Sequence, residues 1–164
     1  MQHTEHAITI AAPQPIVWQV LADIEGYANL FPPTQSATLL EQGDNYQIAE
    51  LVVDVSGQVQ SWTTRRDLDP ELGVIAYRQL QTAPLVEYMG GQWRAFPFGP
   101  DRTQLVLTHD FAARQESQDG KVAGQYTHAE ACDLLAAAVE RNSVADLAAV
   151  RDESERRAMA TAAA

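Results

Sequence analysis

The sequence is poor in the residues that several classes of protein require. A single cysteine, Cys132, excludes an internal disulfide. The 11 lysines and arginines stand against 22 acidic residues, which gives a net charge of −11. Binding to nucleic acid or to an anionic membrane surface needs clustered positive charge, so neither is an expected partner. A neutral or mostly apolar small molecule remains compatible with this charge.

Signals for a membrane span, a leader, a metal and a cofactor are missing too. No run reaches the roughly 18 apolar residues of a membrane helix. Residues 1–7 lack the basic start and apolar run of a secretory signal, so we expect a cytoplasmic protein. The four histidines are scattered and no cysteine pair exists, so we expect no metal site. No glycine-rich phosphate loop occurs, and we expect no cofactor.

The periodicity of apolar residues predicts one strand, short helices, six strands and a long final helix. A weak alternation predicts the first strand at residues 6–10, and helical spacing predicts a helix over 13–24 with one further turn at 27–31. Six strands joined by tight turns follow. They span residues 36–41, 46–55, 58–68, 74–81, 84–96 and 104–113. A capping box at Thr127 and Glu130 begins a helix that runs to residue 159.

These elements predict a single α+β domain over residues 1–164, with residues 158–164 as a fraying helix end. Seven strands in this order form a curved antiparallel sheet, which must bury one face. The long C-terminal helix is the only predicted element large enough to cover that face. The space between a strongly curved sheet and one helix predicts an interior cavity.

Three predicted elements each direct one ionisable side chain toward that cavity. Arg66 shares a strand face with Trp62, and His109 lies in an apolar row with Leu107. Asp146 lies in the apolar stripe of the last helix. Burying such groups unpaired costs several kcal/mol each, on the order of the penalty for isolated polar groups. Each alone can be structural, for example as an arginine–aspartate ion pair, but three beside a cavity indicate a functional site.

The residues around these positions carry a resemblance to a known family. The informative stretches are residues 8–13 (ITIAAP), 61–70 (SWTTRRDLDP), 107–111 (LTHDF) and 140–147 (ERNSVADL). In this order and spacing, over nearly the whole chain, the sequence resembles the single-domain aromatase/cyclases of bacterial type II polyketide pathways. The resemblance implies a START-like helix-grip fold with a deep pocket, a seven-stranded sheet around a long helix, and two short helices after the first strand.

The resemblance also implies a function, a partner and a set of site residues. It implies a cofactor-independent, lyase-type cyclase/dehydratase that acts on a linear poly-β-ketone. That substrate would be carried on the acyl carrier protein of a minimal polyketide synthase, and the first ring would join its seventh and twelfth carbons. Arg66 would be the main catalytic or anchoring group, supported by His109 and Asp146. The substrate-binding residues implied by the resemblance are Trp62, Arg78, Met89, Trp93 and Thr34, the last at a position where many relatives carry tyrosine.

The three ionisable residues suit an aldol ring closure followed by loss of water. Arg66 stays protonated and can stabilise an oxyanion. His109, with an ordinary pKa near 6.5, can take a proton and return it to the departing hydroxyl. Asp146 can orient the imidazole, or it can hold a water molecule or a substrate hydroxyl. The sequence leaves both roles of Asp146 open.

Two other functions are compatible with the same sequence. A non-catalytic carrier of a lipid or other hydrophobic ligand needs the cavity but not the three ionisable residues, and fold alone does not decide between carrier and enzyme. A partner-binding adaptor predicts a filled interior and an exposed apolar patch instead of a cavity.

Overall fold

The computed structural model describes residues 1–55 and 57–163, and its elements follow the predicted order. The strands are β1 (Gln2–Ile10), β2 (Thr34–Gln42), β3 (Tyr46–Val55), β4 (Gln58–Asp69), β5 (Val74–Gln81), β6 (Val86–Pro97) and β7 (Thr103–Ala113). The helices are α1 (Gln14–Ala22), a 3-10 turn (Ile24–Gly26), α2 (Tyr27–Leu30) and α3 (His128–Ala163). The predicted sequence of one strand, short helices, six strands and a long helix is confirmed.

The strands form one antiparallel sheet in the order β1-β7-β6-β5-β4-β3-β2. Strands β2 to β7 follow one another as a meander, and β1 lies beside β7, with Gln2 opposite Phe111 and Ile10 opposite Thr103. The first strand therefore pairs with the last strand, about 100 residues away in the sequence. The curved sheet and the long helix confirm the predicted α+β architecture.

Helix α3 begins at the predicted capping box. The backbone N–H of Glu130 donates to Thr127 Oγ1 at 3.1 Å, and the backbone N–H of Thr127 donates to the Glu130 carboxylate at 2.9 Å. These two bonds satisfy donors that a helix start leaves free. The helix has 36 residues and is therefore about 54 Å long, at 1.5 Å per residue. It continues through Ala163, so the alanine-rich end is helical, and its fraying stays a prediction.

The apolar core divides into two clusters along α3. One cluster joins α1 and the ends of β1 and β7 to the C-terminal half of α3, and includes Ile10, Leu21, Leu105, Leu147 and Val150. The other joins β6 and β7 to the N-terminal half of α3, and includes Val86, Phe111, Val122, Leu135 and Val139. Between the clusters the sheet and the helix do not fill the interior, and a cavity remains there. None of the described helices has a stretch apolar enough and long enough to cross a bilayer.

Candidate active site

The cavity lies between the sheet and α3 and has a volume of about 240 Å³. Its lining runs along β4 from the half-buried Gln60, near the β3–β4 hairpin, to Arg66, which is 3% exposed. Six residues of strand span about 20 Å at 3.3 Å each, so Arg66 lies at the inner end of a long pocket. The interior of the described chain is hollow at this point, which argues against the adaptor reading.

The register of the sheet places polar residues in one row across the cavity wall. Arg66 pairs with Tyr77, Tyr77 with Gly91, and Gly91 with His109. Three strand spacings of about 4.8 Å separate the backbones of Arg66 and His109 by about 14 Å along the sheet. Gly91 has no side chain in this row, and a Cβ there would approach the carbonyl oxygen of Thr108 to 1.9 Å and Tyr77 Oη to 2.7 Å. The row therefore requires glycine at this position.

The Arg66 guanidinium is held from one side. Its Nη1 donates to Tyr27 Oη at 2.7 Å, and its Nη2 donates to the carbonyl oxygen of Leu21 at 2.5 Å. Tyr27 Oη in turn donates to the same Leu21 carbonyl at 2.8 Å, and the guanidinium carbon lies 5.2 Å from the Tyr27 ring centroid. Arg66 Nε has no hydrogen-bond partner among the described residues. The guanidinium is fixed in place, and one of its buried donors has no described partner.

His109 faces the same cavity from β7 and is uncharged at neutral pH. Burial is the largest cause that lowers its pKa from 6.5 to about 4, and the charge of His6 lowers it further against the opposing effect of Asp110. Ser143 Oγ donates to the Val139 carbonyl at 2.6 Å and lies 3.4 Å from His109 Nδ1. This network assigns the proton to Nδ1, because the serine hydroxyl is already used as a donor. His109 Nε2 is then free to accept a proton.

Asp146 lines the cavity from α3 without a hydrogen bond or an ion pair to any other described residue. Burial raises the pKa of its carboxyl from 3.8 to about 7. The structural reading in which Arg66 and Asp146 form an ion pair is therefore not realised. The idea that Asp146 orients the imidazole also lacks support, because Ser143 is the side chain at His109 Nδ1. Near neutral pH the carboxyl is about half protonated, which allows it to give or take a proton.

Four of the five expected substrate-binding residues line the cavity, namely Trp62, Met89, Trp93 and Thr34. Arg78 does not belong with them, and this expectation is wrong. Its neighbours in β5, Tyr77 and Gln79, line the cavity, so the alternation of the strand directs Arg78 to the outer face, where it is exposed.

The cavity has further polar lining residues that the sequence pattern did not indicate, among them Tyr27, Tyr77 and Gln79. Tyr27 comes from the short helix α2, whose position depends on tertiary packing. Tyr77 donates to the Thr108 carbonyl at 2.7 Å, and its ring meets His109 edge-on with the centroids 5.7 Å apart. Gln79 Oε1 is buried without a described partner. Strand alternation alone could have placed Tyr77 and Gln79 on one face, had the direction of that face been known. Within residues 1–55 and 57–163, no group of three His, Cys, Asp or Glu side chains is placed to hold a metal.

Comparison with known proteins places this site in context. The family model described as "Polyketide cyclase / dehydrase and lipid transport" matches residues 10–120. The crystal structure of the Zhui aromatase/cyclase from Streptomyces sp. R1128 is 58% identical, covers 95% of this chain and 94% of that one, and superposes with a TM-score of 0.94.

A longer relative and a more distant structure complete the comparison. The actinorhodin polyketide synthase bifunctional cyclase/dehydratase of Streptomyces coelicolor is 34% identical over 93% of this chain. The chain spans 44% of that relative's length. A START superfamily protein from Mycobacterium smegmatis is 21% identical, with a TM-score of 0.62 over 86% of this chain and 97% of that one. The START-like helix-grip fold is confirmed.

Proposed function

Because the chain belongs to the polyketide cyclase and dehydrase family, we propose that it is an aromatase/cyclase that closes and dehydrates a ring of a linear poly-β-ketone. The observation that carries the proposal is the convergence of Arg66, His109 and Asp146, from three separate elements, on one internal cavity. The name of the 58% identical aromatase/cyclase structure supports the same activity. The bifunctional cyclase/dehydratase relative supports both halves of the reaction, cyclisation and loss of water.

The finer features of the reaction belong to the same proposal. The substrate is the thioester of an acyl carrier protein that works with a minimal polyketide synthase, and the first ring joins the seventh and twelfth carbons. This regiochemistry rests on the family resemblance, in which the combination of His109 and Asp146 implies closure between these two carbons. The reaction needs no cofactor, because enolisation, carbon–carbon bond formation and dehydration only move protons.

Arg66 holds the ketone oxygen that becomes negative during the reaction. Its Nη1 and Nη2 are tied to Tyr27 and to the Leu21 carbonyl, so the guanidinium does not have to reorganise when charge develops. Its free Nε–H is the donor that meets the substrate oxygen. A prearranged donor of this kind is worth about 10²–10³-fold in rate.

His109 and Asp146 move the protons. The neutral imidazole accepts a proton from a methylene group between two carbonyls, and the enolate carbon attacks the distant ketone. The Asp146 carboxyl, with a pKa of about 7, gives its proton to the alkoxide that forms, takes up the second methylene proton and passes it to the hydroxyl, which leaves as water. The two protons lost from carbon are matched by the two protons that the oxygen receives. His109 then carries one extra proton and Asp146 lacks one, and exchange with solvent resets both groups.

The apolar wall of the cavity fixes the bend of the chain. Trp62 and Trp93 supply flat surfaces, and Met89 and Leu107 fill the space beside them. Holding a flexible chain so that only two of its carbons approach each other lowers the entropic barrier and suppresses other rings.

Transport of a hydrophobic ligand is the second candidate function. The family description includes lipid transport, and most of the cavity lining is apolar. A carrier has no need of the polar residues, so this function predicts that ligand binding survives Arg66→Ala with no reaction to lose.

The proposal is tested by reconstituting a minimal polyketide synthase with and without the protein and comparing the products. We expect the protein to convert a mixture of shunt products into one cyclised product. The Arg66→Ala variant should lose this effect, while Arg78→Ala, an exposed arginine one strand away, should keep it. If the wild-type protein leaves the shunt products unchanged, the proposed function is wrong.

A further inference from the structure

A second histidine and a surface carboxylate lie behind His109. His6, on β1, is 16% exposed, and its Nε2 lies 2.7 Å from Glu140 Oε2 on α3. The Glu140 side chain is 64% exposed and faces solvent. A path of decreasing exposure therefore leads from the surface, through Glu140 and His6, toward the cavity.

The register of the sheet brings His6 beside His109. Thr4 is opposite His109 and His6 is opposite Leu107, and residues 4 and 6 of β1 share the inward face. His6 and His109 are thus diagonal neighbours on one face, about 7–8 Å apart at their backbones. That gap can be closed by the two imidazoles or by one bridging water.

The protonation states of the two rings suit a transfer between them. The Glu140 carboxylate can only accept, so His6 Nε2 carries the proton of the neutral ring and its Nδ1 is bare. His6 Nδ1 is buried and has no partner among the described residues. An unpartnered buried acceptor costs free energy, on the order of 1–3 kcal/mol, unless a proton or a water reaches it.

We propose that His6 and Glu140 form a proton relay that connects His109 to solvent at the back of the cavity. This rests on the proposed function, in which a bound polyketide fills the cavity and closes the direct route to solvent. When His109 takes a proton at Nε2, its ring releases the Nδ1 proton to His6 Nδ1. The resulting His6 imidazolium forms an ion pair with Glu140 and gives its Nε2 proton through that carboxylate to solvent. His6 and Glu140 act through His109 and are therefore positioning residues, not catalytic ones.

The charges around His109 are consistent with this path. Burial is the main cause of its low pKa, so the imidazolium is short-lived and must pass its proton on, and the influence of His6 on the same pKa supports their proximity. Tyr77 meets the ring from β5, Gly91 of β6 has no side chain, and Ser143 and Asp146 face the cavity from α3. Asp110 follows His109 in β7 on the outer face and is engaged by His3 at 2.7 Å. Of the groups that face the ring, His6 is the one connected to a surface carboxylate.

The test uses His6→Gln, which preserves a donor for Glu140 but cannot carry a proton. In the reconstituted synthase we expect the ratio of cyclised to shunt products to fall about tenfold. This is less than the roughly 10²–10⁴-fold expected for loss of a direct acid–base group, because His6 acts through His109. Addition of free imidazole buffer should restore the ratio, and Glu140→Gln should lower it in the same direction. His3→Gln, which alters the exposed His3–Asp110 pair of the same strand, is the matched control and should behave as the wild type.

A second readout does not depend on activity. Titration of the ¹⁵N-labelled His109 ring by NMR should show a higher pKa in His6→Gln than in the wild type, and no change in His3→Gln. If His6→Gln and Glu140→Gln leave the product ratio unchanged while the wild type cyclises normally, the relay is wrong and the proposed function stands. A loss of cyclised product that imidazole does not restore would also overturn the relay. An accompanying drop in the thermal unfolding midpoint would show that His6 and Glu140 serve only to stabilise the fold. If the wild type itself has no effect on the products, the proposed function fails first.

Discussion

Replacing Asp146 with asparagine should stabilise the protein, and more so as the pH rises. Burial raises the carboxyl pKa from 3.8 to about 7, so the folded state binds this proton more tightly than the unfolded state. The wild type is then penalised progressively between pH 3.8 and pH 7, and the penalty is constant above that. At 1.36 kcal/mol per pH unit the full penalty is about 4 kcal/mol, and solvent in the cavity reduces it to about 2–4 kcal/mol.

Urea unfolding followed by circular dichroism measures this difference at pH 5 and at pH 8. The free energy of unfolding of Asp146→Asn, relative to the wild type, should rise by about 2 kcal/mol between these two values. Asp133→Asn, an exposed position on the same helix, is the control and should show no such rise. If the wild type and Asp146→Asn give parallel profiles, the carboxyl is not buried in the way described, and its proposed role as a proton donor near neutral pH loses its basis.

Three further predictions concern the other groups in the cavity. In the wild type, the pKa of His109 lies near 4 in the folded state, so the folded protein should lose up to about 3 kcal/mol of stability as the pH falls from 6.5 to 4. His109→Gln should remove this loss, and urea unfolding at pH 4.5 and 7 checks it. Tyr27→Phe removes the hydroxyl that bridges Arg66 and the Leu21 carbonyl, and it should lower the free energy of unfolding by about 1.5–3 kcal/mol. An unchanged midpoint of thermal unfolding would contradict this. Arg66→Lys keeps the positive charge but should not support cyclisation, because one ammonium cannot bind Tyr27, the Leu21 carbonyl and a substrate oxygen in a planar fork. Full activity of this variant in the reconstituted synthase would argue against this geometry.

The sequence predicts the fold well where apolar periodicity is strong, and less well where pairing between distant strands decides the outcome. Strands β3 and β5 have the predicted bounds, residues 46–55 and 74–81. Strand β1 begins at Gln2 instead of residue 6, because residues 2–5 are polar and their extension comes from pairing with β7. Such pairing leaves no local signal.

The residues of the candidate site also differ in whether local apolar periodicity reveals their direction. The inward directions of Arg66, His109 and Asp146 are readable because each shares a face with apolar residues of its own element, such as Leu68, Leu107 and Val150. In β5 the signal is reversed, since the inward Gln79 is polar and the outward Leu80 is apolar and 45% exposed. A cavity that needs polar walls blurs the alternation, so the pattern gives no signal for Tyr77. The expectation that Arg78 faces the cavity comes from the family resemblance and not from the alternation. Tyr27 and His6 gain their roles only from partners 39 and 134 residues away.

Entry of a ligand into the cavity, and its contact with the unpartnered Nε–H of Arg66, can be tested directly by NMR. The Arg66 Nε–H of ¹⁵N-labelled protein would be followed while a stable aromatic diketone is added as a mimic of the polyketide. We predict a saturable shift of this resonance, together with shifts at the Trp62 and Trp93 indoles, and no shift at Arg78. Binding of the mimic with the Arg66 resonance unmoved would contradict it.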